Sequence, residues 1–367
     1  MIDNRLEKLA HILITHSLEI KKKDLFMIIG GNTAAPLIKE VYKKALEVGA
    51  YPYAKIGVEG LAEIFYNSAS QKQLKYMSPI AKFEIENIDA KLGIICPENT
   101  RNLTNVDPKK QAIYSTAQQE IHEIFLKRAA KKELRWCLTQ YPTNASAQDA
   151  DMSLSEYEDF IFKAAQVDKK DPVGYWEKTY GEQDKIKKLL ETKKKLQIIS
   201  KETNLTVSVG GRKWINCYGK ENFPDGEVFT GPQENSAEGY ISYSFPGAYG
   251  GRLVENIRLW FEKGKVIKSK ASSGEKFLKS MLDMDKGSKK IGEFAFGTNY
   301  GIKKYTKNTL FDEKIGGTIH IAVGSGYPET GSKNKSSLHW DMVCDLRKNG
   351  KVYADGELIY KNGKFLL

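Results

Sequence analysis

The chain has 367 residues, 41% of them hydrophobic, and a formal net charge of +11. That length exceeds one ordinary core and predicts two domains. No apolar run approaches the roughly 20 residues of a membrane helix, and the opening MIDNRLEKLAHILITH is charged at once, unlike a secretory signal. The sequence therefore predicts a cytoplasmic protein with no membrane partner.

The positive charge lies mainly in KKKD (21–24), KRAAKK (127–132) and KKLLETKKK (187–195). These stretches read as solvated helix faces, and no zinc-finger, KH or RNP pattern accompanies them. No nucleic-acid partner is expected; a basic nucleic-acid-binding protein is the less favoured reading. Cys96, Cys137, Cys217 and Cys344 form no C-x-x-C pair and read as reduced, buried thiols.

In chain order, DLFMIIGG (24–31) reads as a buried strand. Leu37, Val41, Ala45 and Val48 give helical spacing over 33–48, and AYPYAKIGV (50–58) reads as the next strand. KLGIICP (91–97) and ELRWCLTQYP (133–142) read as further strands, separated by a long helix over 108–131. Ser153 and Glu156 form a capping box for a helix to about 167, and a charged helix fills 171–195. Gly30, Gly31 and Asn32 read as a plain strand-to-helix turn, because G-x-G-x-x-G is absent. Residues 1–195 are thus predicted to be an α/β domain, an open, mostly parallel sheet with flanking helices.

From 196 to 367 short strands and glycine-rich turns dominate, with one helix at 274–285. The tail KVYADGELIYKNGKFLL reads as two strands joined around Lys361, Asn362 and Gly363. This half is predicted to be a strand-rich α+β domain that binds metal.

The reason is a pattern within its strands. In SSLHWDMVCDL (336–346), Leu338, Trp340 and Met342 alternate as a core face should, and His339 and Asp341 share the opposite face. IHIAVG (319–324) sets His320 opposite Ile319, Ile321 and Val323. GEFAFG (292–297) sets Glu293 opposite Phe294 and Phe296, and GEVFTGP (226–232) carries Glu227. Several carboxylates buried unpaired would cost several kcal/mol each, on the order of a whole protein's margin of stability. Divalent cations are the natural compensation. The other histidines, His11, His16 and His122, lie on helical patterns of the first half. Asn235, Asn299, Arg252 and Arg258 have adequate readings as turn or surface residues.

GEVFTGP, IGEFAFGTN, NTLFDEKIGGTIHIAVGSGYPE, SSLHWDMVCDL and YPTNASAQDADMS (141–153) together resemble segments of the M29 metallopeptidases, the thermophilic aminopeptidase T group. The resemblance covers most of the chain. It implies that Glu227, Glu293, His320, His339 and Asp341 hold two divalent metal ions, of the Zn, Co or Mn kind, and that Tyr327 is a catalytic tyrosine. Glu293 is taken as the bridging, catalytic carboxylate. The resemblance further implies a homodimer and peptide substrates with a free amino terminus. Glu313 stands farther from His320 than the family's pattern has it, with KIGGTI between them. Gly316 and Gly317 could bulge the chain and bring Glu313 back as a ligand or base. The interval between His320 and His339 is also short for the family. No cofactor other than metal is expected. HExxH and GxSxG are absent, so a Ser or Cys hydrolase is disfavoured. The different-class alternative is a metal- or peptide-binding member of the same fold that does not catalyse.

Overall fold

The structure is a computed structural model and describes residues 3–367. The chain divides into two compact units. One comprises the residues up to Val173 together with Gly219–Pro224, and the other comprises Gly174–Tyr218 and Asp225–Leu367. The helix Pro172–Glu191 thus falls almost wholly in the second unit, whereas the sequence boundary at about 195 left it in the first.

In the first unit, strands β1 (Leu25–Gly31), β2 (Tyr51–Gly57), β3 (Ala90–Ile95) and β4 (Arg135–Gln140) form a parallel sheet in the order β2-β1-β3-β4, extended beside β4 by the short strand Asn222–Phe223. Phe26, Ile28, Leu92 and Cys137 are buried on it, as the apolar runs require. The helix Ala35–Val48 joins β1 to β2 and buries Leu37, Val41 and Ala45 at the predicted spacing. The Ser153 capping box is present, with Glu156 Oε2 accepting from the Ser153 N–H at 2.8 Å. The long helix expected over 108–131 is two helices, Pro108–Ala117 and Gln119–Ala130, because Gln118 between them, at φ −89° and ψ 2°, leaves the helical conformation.

The second unit packs two antiparallel sheets face to face. The larger has eight strands, from Lys265–Lys270 at one edge to Lys364–Phe365 at the other. The smaller contains β5 (Ile215–Cys217), β6 (Glu227–Thr230), β7 (Ile291–Gly297), β8 (Thr318–Gly324) and β9 (His339–Asp345), in the order β9-β8-β7-β6-β5. Leu205, Ile241 and Leu259 of the larger sheet share one buried cluster with Phe294, Phe296, Ile319, Ile321, Trp340 and Met342 of the smaller. The tail is three strands rather than two, Lys351–Ala354, Glu357–Lys361 and Lys364–Phe365. The extra turn is Asp355-Gly356. Both residues have positive φ, as do Asn362 and Gly363 at the turn the sequence did reveal.

Candidate metal centre

The five-stranded sheet has two chemically opposed faces, because successive side chains alternate. Phe294, Ile321 and Trp340 pack toward the larger sheet; Glu293, His320, His339 and Asp341 take the other side. The register brings these together. Ala322 pairs with both Glu293 and Asp341, Ala295 with His320, Gly324 with His339, and Gly297 with Glu227. Each ligand-type side chain therefore has a small residue beside it in the ladder, which leaves room for long polar groups to converge.

They do converge. His320 Nε2 lies 3.2 Å from Glu293 Oε1, 3.5 Å from Glu227 Oε2 and 3.9 Å from Asp341 Oδ1. His339 Nε2 lies 3.4 Å from Glu293 Oε2 and 3.5 Å from Asp341 Oδ2. Glu293 thus turns one oxygen to each imidazole. Among the described residues four groups of donor atoms lie within 4.8 Å of one another, namely Cys217/Asp225/Glu227, Glu227/Glu293/His320, Glu293/His339/Asp341 and Glu313/His320/Asp341. Glu293 belongs to two of them.

Both imidazoles are aimed from behind. His320 Nδ1 is 2.9 Å from the Glu313 carbonyl, and His339 Nδ1 is 2.8 Å from the Ser325 carbonyl. A carbonyl can only accept, so Nδ1 carries the hydrogen and Nε2 faces the cluster.

Glu313 arrives by the bulge that its glycines permit. Gly317 has φ +92°, in the left-handed region, and its N–H donates to the Gly297 carbonyl at 3.1 Å. Gly316 N–H donates to the Asn299 carbonyl at 2.9 Å, and Asn299 N–H to the Lys314 carbonyl at 3.0 Å. Residues 313–317 therefore run beside 297–299, which places the Glu313 carboxylate next to His320 and Asp341.

Burial and mutual charge set the electrostatics. Burial pushes the Glu227 carboxyl up to about 8 against the pull of Lys314, and pushes Asp341 up to about 6 against His339. Burial alone would raise Glu293 as well, but hydrogen bonds from His320 and His339 outweigh it and hold Glu293 at about 2. Burial would lower both imidazoles. The surrounding carboxylates, Glu293 and Glu227 for His320 and Asp341 and Glu293 for His339, overcome it and raise each to about 10.

Tyr327 stands on the loop after β8, 40% exposed, its ring 5.4 Å from that of His339 and 5.2 Å from that of Phe229. Desolvation, then the charges of Glu293 and Asp341, raise its phenol above the usual range, so it keeps its proton. The loop is tied down by the half-buried pair Arg212–Glu234, at 2.7 Å. Arg212 donates to the Gly331 carbonyl, and Glu234 accepts from the Lys333 N–H at 2.6 Å. Thr330 Oγ1 donates to the Tyr327 carbonyl at 2.7 Å.

Two members of the cluster escaped the sequence reading. Lys314 is fully buried, with Nζ 3.1 Å from Glu227 Oε1 and 3.8 Å from Asp225 Oδ1, and it also donates to Glu313 Oε1. Neither Lys314 nor Asp225 lies on a strand, so no alternation marks them. A Lys beside a Glu in a loop looks like surface. The one available signal is KIGG itself, whose glycines let that loop turn inward. By contrast, Arg252 stacks on Phe277, and Arg258 on Tyr240 and Trp260; Asn235 accepts from Lys290.

The donor set fits a divalent cation. It combines imidazole nitrogens with carboxylate oxygens. Glu227 Oε2 and Asp341 Oδ1 are buried in it without a hydrogen-bond donor, a costly arrangement in a dry site unless a cation is provided for.

The family described as thermophilic metalloprotease (M29) matches residues 2–365. The chain belongs to the M29 metallopeptidases. It is accordingly a metallopeptidase hydrolase of a family that works with divalent metal ions. Among M29 relatives, Aminopeptidase 2 of Geobacillus stearothermophilus is 27% identical, over 99% of this chain and 98% of that protein. Aminopeptidase T of Thermus thermophilus is 26% identical, over 98% and 95%. The solved structure of wild-type AmpT from Thermus thermophilus matches the whole of both chains with a TM-score of 0.87 at 22% identity, a likeness of fold. A 2,5-dihydroxypyridine dioxygenase from Pseudomonas putida KT2440 matches 100% of this chain and 98% of its own, with a TM-score of 0.58 at 14% identity. Fold alone does not choose the reaction here; the site has to.

Proposed function

We propose that this M29 chain is an aminopeptidase that removes the first residue of peptides bearing a free amino terminus, using two divalent cations of the zinc, cobalt or manganese kind. The observation that carries the reading is Glu293, which sets one oxygen before each of two imidazoles and belongs to two donor groups at once. Glu227, Glu293 and His320 would hold one cation and Glu293, His339 and Asp341 the other, supplying Lewis acidity to the peptide carbonyl and an activated water near neutral pH.

The chain's own residues supply the rest. Exposure falls steadily across the site. The side chain of His339 is 29% exposed at the mouth, Glu227 is 7% exposed, and Lys314 is closed off at the floor. An acidic donor set exposed at His339 and buried at Lys314 suits the cationic end of a peptide better than its middle. Tyr327, at the mouth and held protonated, donates a hydrogen bond to the carbonyl oxygen as negative charge develops there. Both oxygens of Glu293 face imidazoles. Glu313, pinned by Lys314 at one oxygen and set beside His320 and Asp341, is therefore the better placed carboxylate to carry a proton from the water to the departing amine.

A panel of aminoacyl reporter amides tests this. Hydrolysis is expected to stop with chelator, to return with Zn, Co or Mn, and to spare N-acetylated versions. Cleavage that ignores chelation, or that treats blocked and free amides alike, rejects the proposal.

A further inference from the structure

A lysine with no exposed surface is expensive to bury, and Lys314 lies among three carboxylates: Glu227, Asp225 and Glu313. Its effect on two of them is specific. At Glu227 it takes Oε1 at 3.1 Å, while Oε2 faces His320 at 3.5 Å and has no hydrogen-bond donor. At Glu313 it takes Oε1. Each carboxylate is thereby divided, one oxygen to the lysine and one left for the pocket. The backbone fixes the lysine in turn, through the Asn299 N–H on its carbonyl at 3.0 Å, and the Asn299 side chain donates to the Asp225 carbonyl at 2.8 Å.

The formal charges point the same way. Glu227, Glu293, Glu313 and Asp341 carry four negative charges, which two divalent cations cancel. Asp225 would add a fifth, and Lys314 removes it. Asp312, also buried nearby, is engaged instead by the N–H and hydroxyl of Thr306, at 2.6 and 2.9 Å.

We propose that Lys314 is the resident counter-ion of the metal centre, a positioning residue that presents Glu227 and Glu313 by one oxygen each and, paired with Asp225, sets the pocket's charge to the value that two divalent cations balance. The proposal rests on the two-cation reading above. It makes the lysine matter most when the cations are absent, because only side-chain cations are then left to offset the five carboxylates.

Three full-length variants test it, Lys314→Met, Asp225→Asn and Lys314→Met/Asp225→Asn. Metal content per chain and the thermal midpoint, with chelator and with saturating metal, are read on each. Wild type should hold two cations per chain. Lys314→Met should lower the metal-free midpoint more than the metal-loaded one, so that metal raises the midpoint by more than it does in wild type. The double variant, whose formal charge is restored, should recover part of the metal-free loss. Asp225→Asn alone keeps the side chain's shape and should weaken retention of the second cation by at least about tenfold. It stands as the test if Lys314→Met does not fold. Equal losses with and without metal, with no recovery in the double variant, would make Lys314 a packing residue and overturn the proposal. Unchanged retention in Asp225→Asn would overturn it too. Fewer than two cations in wild type would instead reject the two-cation reading, whatever the variants do.

Discussion

On one face of β7, β8 and β9, Phe294, Ile321 and Trp340 interlock with the larger sheet; one residue along each strand, Glu293, His320 and Asp341 meet on the opposite face. The backbone is common to both, yet the physics differs. The apolar face is satisfied by burial, and each group there lowers the free energy of the fold. The polar face is also buried but only partly satisfied, with two oxygens lacking a donor and carboxyl groups displaced in both directions from their ordinary range. Stability resides on one side of the sheet, and the groups proposed to carry the chemistry lie on the other.

Neighbouring substitutions can break that comparison. Glu293→Gln should reduce amide hydrolysis by well over about 100-fold, more than the loss of a ligand's supporting partner usually costs, while keeping the far-ultraviolet circular dichroism and a cooperative melt. Phe294→Ala, the next residue, should do the reverse. It should cost about 3–5 kcal/mol of stability in a denaturant titration and leave turnover per folded molecule unchanged. If Glu293→Gln unfolds the unit, or Phe294→Ala abolishes turnover in molecules that remain folded, the two faces are not separable.

Tyr327→Phe sharpens the same contrast at the mouth of the site. Removing one hydroxyl should lower kcat by about 100-fold with KM little changed, as for loss of one donor to a developing oxyanion. A change confined to KM would make Tyr327 a binding residue.

The smallest effect lies at Asp285, which anchors the segment leading into β9. Burial alone would raise its carboxyl. The Ser337 and Gly287 N–H groups and the Ser336 hydroxyl outweigh burial and hold it at about 2, below the ordinary 3.8. A group depressed in the folded state stabilises above its unfolded value and loses that contribution as pH falls through the folded one. Asp285→Asn should therefore cost roughly 1 kcal/mol at pH 7, after allowance for solvent screening. The gap between variant and wild type in urea midpoints should narrow as pH falls from about 4 toward about 2.

What the sequence disclosed follows from these faces. A period of two survives in one dimension, so Glu293, His320, His339 and Asp341 could be picked out beside Phe294, Ile321 and Trp340 before any fold was known. The parallel strands of the first unit were legible as apolar runs for the same reason. Lys314 and Asp225 were not legible, because their burial comes from residues 297–299 and 313–317 running alongside each other, a tertiary event with no periodic trace. The break at Gln118 and the turn at Asp355-Gly356 escaped because hydrophobic spacing continues on either side of them.

The groups that form the site are spread along the chain from Glu227 to Asp341, on strands whose pairings join segments distant in sequence. Contacts of that kind form late and slowly, since each must close a long loop before it gains anything. No fragment emerging from synthesis can hold the full set until β9 has been made and has paired at the sheet's edge. The proposed chemistry would thus wait until every strand from Glu227 to Asp341 is in place.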